Sequence, residues 1–414
     1  MKSGYRPLCA GVFFAVVFCT AVCLLLPGCR ERESASSAPS SSAASSQAPE
    51  SAAAPSSAPA EPSEPPVSSD PTEHTEQVDV TGLSYWRGEL ELPVEGATGY
   101  AADAMALLRE PSANAEQLGQ ISGGQGFAVL EEQGDWWRVR VPDLGEGWVR
   151  HDVCLINLPD VIPSIVYRNT NGSASLFRTS GEAIPGITGE QLYDSLCWNE
   201  RLQREEYTVA VLYQMAKRIC AAQQLALSEG YTLVLVEGFR PYDVQQQVVT
   251  SLATLIEEKP ELRAGVENKP WSMDWFITEG VSNHQQGYAI DLSLAQIVST
   301  QERAAGSYAY TAVTSYLECD MPTAMHELSL AAASMKSPVT AYDFVKWQEV
   351  PVAAGMTEGA LALRRFCTSA GLTPLASEWW HFNDLDCLSV VQDSWEGKFR
   401  LTENVSFAPH LHLR

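Results

Sequence analysis

Residues 282–294 read Ser-Asn-His-Gln-Gln-Gly-Tyr-Ala-Ile-Asp-Leu-Ser-Leu. From Ala289 onward the stretch alternates: Ile290, Leu292 and Leu294 share one side, and Ala289, Asp291 and Ser293 the other. That period of two predicts a half-buried strand. His284 precedes Asp291 by seven residues, which in an extended chain is roughly 23 Å at about 3.3 Å per residue. To share one metal ion their donor atoms must come within about 4 Å, because zinc–nitrogen and zinc–oxygen bonds are about 2 Å. The chain must therefore double back between them, and Gly287 is the residue best able to allow it. A loop histidine and a strand aspartate are expected to converge on one point.

A third donor stands in Ser-Glu-Trp-Trp-His-Phe, residues 377–382. His284, Asp291 and His381 make three protein ligands and leave a fourth position for water. That is the arrangement of a catalytic zinc, whereas a structural zinc is closed by four protein ligands. Glu378, three residues ahead of His381, is then the general base that takes a proton from water. The two would face opposite sides of a regular strand. Glu378 is therefore expected at a bend entering the strand that carries His381. Trp379 and Trp380 are expected to fill the core, with walling the cleft as the alternative. His410 and His412 have no carboxylate close by in sequence and are set aside.

Together with Glu-Gly-Phe-Arg-Pro-Tyr at 237–242, these two motifs lie in one order over residues 237–383. In type, order and spacing they resemble the three signature motifs of the zinc D,D-peptidases. The branch they most resemble is the D-alanyl-D-alanine dipeptidases of vancomycin resistance. The resemblance implies one zinc ion on His284, Asp291 and His381, with Glu378 as base and Arg240 steadying the tetrahedral intermediate. Ser282 is a candidate hydrogen-bond partner of the substrate. The chain departs from the pattern at Asp-Met-Pro-Thr-Ala-Met-His-Glu, residues 320–327. The dipeptidases usually carry there an aspartate that holds the substrate's free amino group, and here His326 and Glu327 are the nearest candidates. Two substrates stay open. The motifs favour free D-alanyl-D-alanine, a dipeptidase activity. Export and wall binding favour a D,D-carboxypeptidase that trims the terminal D-alanine from peptidoglycan stem peptides. A non-catalytic wall-binding lipoprotein is the rival from another class.

Export is read from the N-terminus. Lys2 and Arg6 precede an apolar run from Leu8 to Leu26, followed by Pro27-Gly28-Cys29. A basic start, an apolar run and a small-residue end describe an export signal over residues 1–29. Its end resembles a bacterial lipoprotein cleavage box, with Cys29 as the lipid-bearing residue. An uncleaved membrane anchor is the alternative, since the run nearly spans a bilayer. Either reading places the protein outside the cytoplasm, held at the membrane and facing the cell wall. Residues 30–78 are mostly Ser, Ala, Pro and Glu and cannot bury enough apolar surface to order, so a disordered tether is expected. The net charge of −24 argues against a nucleic-acid partner, since nothing offsets phosphate repulsion. Six cysteines outside the export segment (Cys154, Cys197, Cys220, Cys319, Cys367 and Cys387) show no metal-type spacing, and their pairing stays open.

The remaining chain divides in two. Residues 79–160 carry short glycine-broken strand signals, among them Gly-Asp-Trp-Trp-Arg-Val-Arg-Val at 134–141 and Gly-Glu-Gly-Trp-Val-Arg at 145–150, which predict a small all-β barrel. The segment resembles bacterial SH3-type domains, a family that commonly binds cell-wall peptides, and Trp137 and Trp148 are expected in its core. Residues 161–414 predict an α+β domain, a small antiparallel sheet flanked by helices. Leu212, Met215, Ala216 and Ile219 mark one helix, which Gly230 ends. Tyr231-Thr232-Leu233-Val234-Leu235-Val236 reads as a central strand. Arg240 then sits at a strand-to-helix junction, with Pro241 opening a helix through Val244, Val248, Leu252 and Leu255. A last helix is expected over 356–370, stopped by Gly371.

Overall fold

The computed structural model describes residues 80–391, 395 and 397–407. The export signal with Cys29, the tether, and His410 and His412 lie outside the described residues. Among the described residues no helix is long and apolar enough to cross a membrane.

The alternating stretch becomes the strand Ala289–Ala305, the longest among the described residues. Its first half is the centre of a mixed sheet ordered Thr373–Pro374, His381–Asn383, Ala289–Ala305, Tyr231–Glu237, Val166–Tyr167. All neighbours are antiparallel except the last pair. Its second half extends as a hairpin with Tyr308–Glu318. Residues 289–295 are buried on both faces rather than half-buried. Ile290, Leu292 and Leu294 join the core with Met215, Ile219, Leu363 and Phe366, while Asp291 and Ser293 are closed over on the other side.

The helices follow the apolar spacing. Tyr213–Ser228 buries Met215, Ala216 and Ile219, whereas Leu212, expected in the helix, is its N-cap and ends the strand Ala210–Leu212. Gly230 takes a φ of +82° just beyond the helix, the left-handed conformation that ends helices. Tyr242–Glu258 buries Val244, Val248, Leu252 and Leu255; Pro241 stands at its N-cap, one position earlier than first-turn proline would. Glu358–Ser369 starts where the Thr357 side chain accepts from the Ala360 amide and ends at Gly371.

The N-terminal region forms an antiparallel sheet ordered Ala210–Leu212, Cys154–Asn157, Thr98–Ala101, Gly126–Gln133, Trp136–Val141, Gly145–Arg150, Met105–Leu108, Gln117–Ile121. Trp137 lies in its core with Tyr100, Phe127 and Val139, whereas Trp148 is only half-buried. The outermost strand, Ala210–Leu212, comes from beyond residue 160 and runs directly into the helix Tyr213–Ser228. One hydrophobic core accordingly runs from the barrel into the second sheet without a break. Residues 397–407 return across the barrel: the Thr402 amide donates to the Gly124 carbonyl (3.0 Å) and the Phe407 amide to Gly96 (2.8 Å). The six described cysteines are all free.

Candidate active site

Strand register builds the site. The ladder between Tyr231–Glu237 and Ala289–Ala305 slips by one residue between Leu235 and Glu237, so that Glu237 faces Asp291. Asp291 in turn pairs with His381. Directly opposed residues share a face of the sheet, so Glu237, Asp291 and His381 form one polar row across three strands. His284 enters from the turn before the strand, where Gly287 takes a φ of +77° that residues with a side chain rarely adopt. Glu378 lies in the bend before His381–Asn383, as expected.

The donors converge. His284 Nε2 lies 3.1 Å from His381 Nδ1 and 3.4 Å from Asp291 Oδ2, and His381 Nδ1 lies 3.1 Å from Asp291 Oδ1. All three residues are buried. The outer nitrogens are committed elsewhere: His284 Nδ1 to the Gly238 carbonyl at 2.7 Å, and His381 Nε2 to Asn383 Oδ1 at 3.0 Å. Both acceptors take a proton from the outer nitrogens, so that a neutral imidazole at either position offers its inner nitrogen to a shared ion. Outer-nitrogen hydrogen bonds of this kind fix the tautomers of metal-ligating histidines. Two imidazoles and a carboxylate are the ligand chemistry of zinc.

Charge distinguishes Asp291 from Glu378. Burial alone would raise Asp291, but the His284 charge and hydrogen bonds from His284, His326 and His381 outweigh it and hold its carboxyl well below the usual range. At Glu378 burial prevails and pushes the carboxyl up to about 8, with Asp291 adding to the rise and His381 opposing it. Glu378 Oε2 is 3.7 Å from His381 Nδ1, close enough to share a water with the centre. Burial works against the Arg240 charge, yet Glu237 and Asp291 more than restore it. Its Nε and Nη2 both donate to Glu237 Oε2 (2.8 and 2.5 Å), Nη2 also reaches Asp291 Oδ2 (3.3 Å), and Nη1 donates to Gln245 Oε1 (2.8 Å). A guanidinium has five N–H donors, so one N–H on Nη1 remains for a ligand.

These groups line a cleft of about 380 Å³. Arg240, Ser282, His284, Glu378 and His381 lie along it, with Phe177, Trp275, Phe276 and Trp380 as apolar walls. Trp379 and Trp380 are both buried, as expected, and Trp380 serves core and cleft at once. The Ser282 hydroxyl is buried with no hydrogen-bond partner among the described residues. The other two candidate substrate contacts do not line the cleft. His326 is fully buried, stacks on Phe177 with ring centroids 4.3 Å apart and places Nε2 3.1 Å from Asp291 Oδ2. Glu327 is engaged by the amides of Ser180 and Gly181. Glu237 and Asn383 were not singled out from the sequence. The signals available were Glu237 three residues before Arg240, and Asn383 on the same strand face as His381.

With this geometry in place, two segments of the chain find counterparts. Residues 209–332 match the family model for D-alanyl-D-alanine carboxypeptidase. Residues 103–153 match the model for the bacterial SH3 domain. No curated protein matches the chain. Both matches agree with the resemblances read from the motifs, and the first supports a peptidase acting on D-alanyl-D-alanine ends. The carboxypeptidase match contains Arg240, Ser282, His284 and Asp291 but stops before Glu378 and His381. Those two are joined to the others by strand pairing at Asp291.

Proposed function

We propose that the protein is a zinc-dependent D,D-carboxypeptidase that removes the terminal D-alanine from peptidoglycan stem peptides. The observation that carries the reading is the meeting of His284, Asp291 and His381 within hydrogen-bonding distance, with Glu378 beside them at the foot of an open cleft. His284, Asp291 and His381 would hold the zinc ion, whose Lewis acidity would polarise the scissile carbonyl and lower the pKa of water. Glu378 accepts a proton from the attacking water and delivers it to the leaving amine nitrogen. The free N–H of Arg240 Nη1 meets the developing oxyanion, a contribution typically of about 3–4 kcal/mol for a single donor. Ser282, with its hydroxyl unspent, donates to the substrate.

The departure at 326–327 favours the carboxypeptidase over the dipeptidase. A free dipeptide brings an ammonium group into the cleft and needs a carboxylate to hold it, whereas an acylated D-alanine brings a neutral amide. His326 is turned to Asp291, and Glu327 is spent on two backbone amides. In the same reading, the lipid or anchor at the N-terminus and the tether place the enzyme at the outer face of the membrane, and the SH3-like region meets the wall.

The test offers free D-alanyl-D-alanine and an N-acylated peptide ending in D-alanyl-D-alanine, with and without a chelator. The acylated peptide should lose one D-alanine, stop on chelation and resume with zinc. Cleavage of the free dipeptide alone would restore the dipeptidase reading. A zinc-loaded protein that cleaves neither leaves a wall-binding role only.

A further inference from the structure

We propose that the SH3-like barrel is a working support of the catalytic centre, with Leu155 and the strand Ala210–Leu212 positioning His284. This rests on the reading of His284, Asp291 and His381 as metal ligands. The strand Ala210–Leu212 pairs with the barrel strand Cys154–Asn157 in the register Leu212 to Leu155 and Ala210 to Asn157. Its other contacts go to both loops of the site. The Leu212 amide donates to the Gly287 carbonyl at 2.7 Å, and the Phe239 amide donates to the Ala210 carbonyl at 2.9 Å. Gly287 closes the turn that aims His284. Phe239 lies between Arg240 and Gly238, whose carbonyl fixes the His284 tautomer.

The fit leaves no slack. A methyl group on Gly287 would stand 2.3 Å from Leu155 Cδ2 and 3.4 Å from Leu212 Cγ. One on Gly238 would stand 2.8 Å from the Ala210 carbonyl oxygen. Close-packed surroundings of this kind transmit displacement instead of absorbing it. A second attachment reaches the same loop from the far side: Phe399 stacks on Phe239 with centroids 5.2 Å apart, and the chain beyond it is bonded to the barrel at Gly124 and Gly126. The loop carrying Gly238, Phe239 and Arg240 is therefore held between two parts of the barrel assembly. A barrel acting only as a targeting module would need none of these contacts.

The test uses the full chain carrying Leu155→Ala, with Val139→Ala as the comparison. Val139 lies in mid-barrel, paired with Val129 and Gly147. Metal affinity is measured by chelator competition, and the coordination geometry by the visible spectrum of the cobalt-loaded protein. Leu155→Ala should weaken metal binding roughly tenfold, as loss of outer support does at metal sites, and shift the cobalt spectrum. Val139→Ala should lower Tm while leaving both readouts unchanged. Parental affinity and spectrum in Leu155→Ala overturn the proposal, as does an equal loss of affinity in both variants. Should Leu155→Ala fail to fold, Leu155→Val is read by the same criteria, with a smaller loss expected. A parent chain that binds neither zinc nor cobalt overturns the ligand assignment and this proposal with it. A parent that binds metal while Leu155 proves indifferent overturns this proposal alone.

Discussion

At Glu378 burial lifts the carboxyl to about 8, while at Asp291 the surrounding imidazoles drive it the other way. Two acids whose environments separate their proton affinities suit different parts in the proposed reaction: Asp291, held ionised, suits ligation, and Glu378, with its raised carboxyl, suits proton transfer. Glu378→Gln should therefore retain zinc by elemental analysis while kcat falls about 10²–10⁴-fold, the usual worth of a general base. His381→Ala should lose the metal as well, and full activity in Glu378→Gln would refute the base assignment. Asn383→Ala removes the acceptor that holds the His381 tautomer, and metal affinity should drop about 10–100-fold, read by chelator competition. The meeting of His284, Asp291 and His381, with Glu378 and Arg240 beside them, was legible in the sequence because each is a rare side chain inside a recognisable motif. Glu237 was not, since its part depends on a one-residue slip between strands, and pairing register is a long-range property. His326 was misleading for a similar reason: its neighbours Phe177 and Asp291 are remote in sequence.

Among the elements, helices declared themselves most clearly, because apolar spacing and terminal signals act within a few residues. Thr357 caps the helix Glu358–Ser369 and its hydroxyl also donates to the Asp320 carbonyl at 2.7 Å. Thr357→Ala should cost about 1 kcal/mol of stability, the usual worth of such a cap, measured by urea denaturation with activity retained. The strand at 289–294 was legible in position but not in burial, since its polar face is buried by the site itself. Ala210–Leu212 was not legible at all. Three apolar residues leading into a helical pattern carry no alternation to read, and their strand character comes entirely from the barrel they join.

At the scale of the whole molecule, one hydrophobic cluster is shared by the barrel and the second sheet, so these two parts should unfold in a single calorimetric transition; separate transitions for them would contradict the shared core. Glu91 ties the segment entering the barrel to the second half: the Ser164 amide donates to Oε2 at 3.0 Å and the Gln224 side chain to Oε1 at 2.9 Å. Burial pushes this carboxyl up to about 7, against the hydrogen bonds from Ser164 and Gln224. A folded pKa above the unfolded one means that folding takes up a proton. The contribution is complete below the unfolded value of about 4.3 and is lost as pH rises through 7. Urea midpoints should accordingly decline over that window in the parent and decline less in Glu91→Gln.

The strap of residues 397–407 also dictates the order in which this molecule can be completed. It lies on a barrel formed by residues translated long before it, so the barrel must wait, with the edge around Gly124 and Gly126 uncovered, until the distal chain has emerged. Nascent chains halted ahead of residue 397 should remain open to proteases at a stage when His284, Asp291 and His381 have all been synthesised.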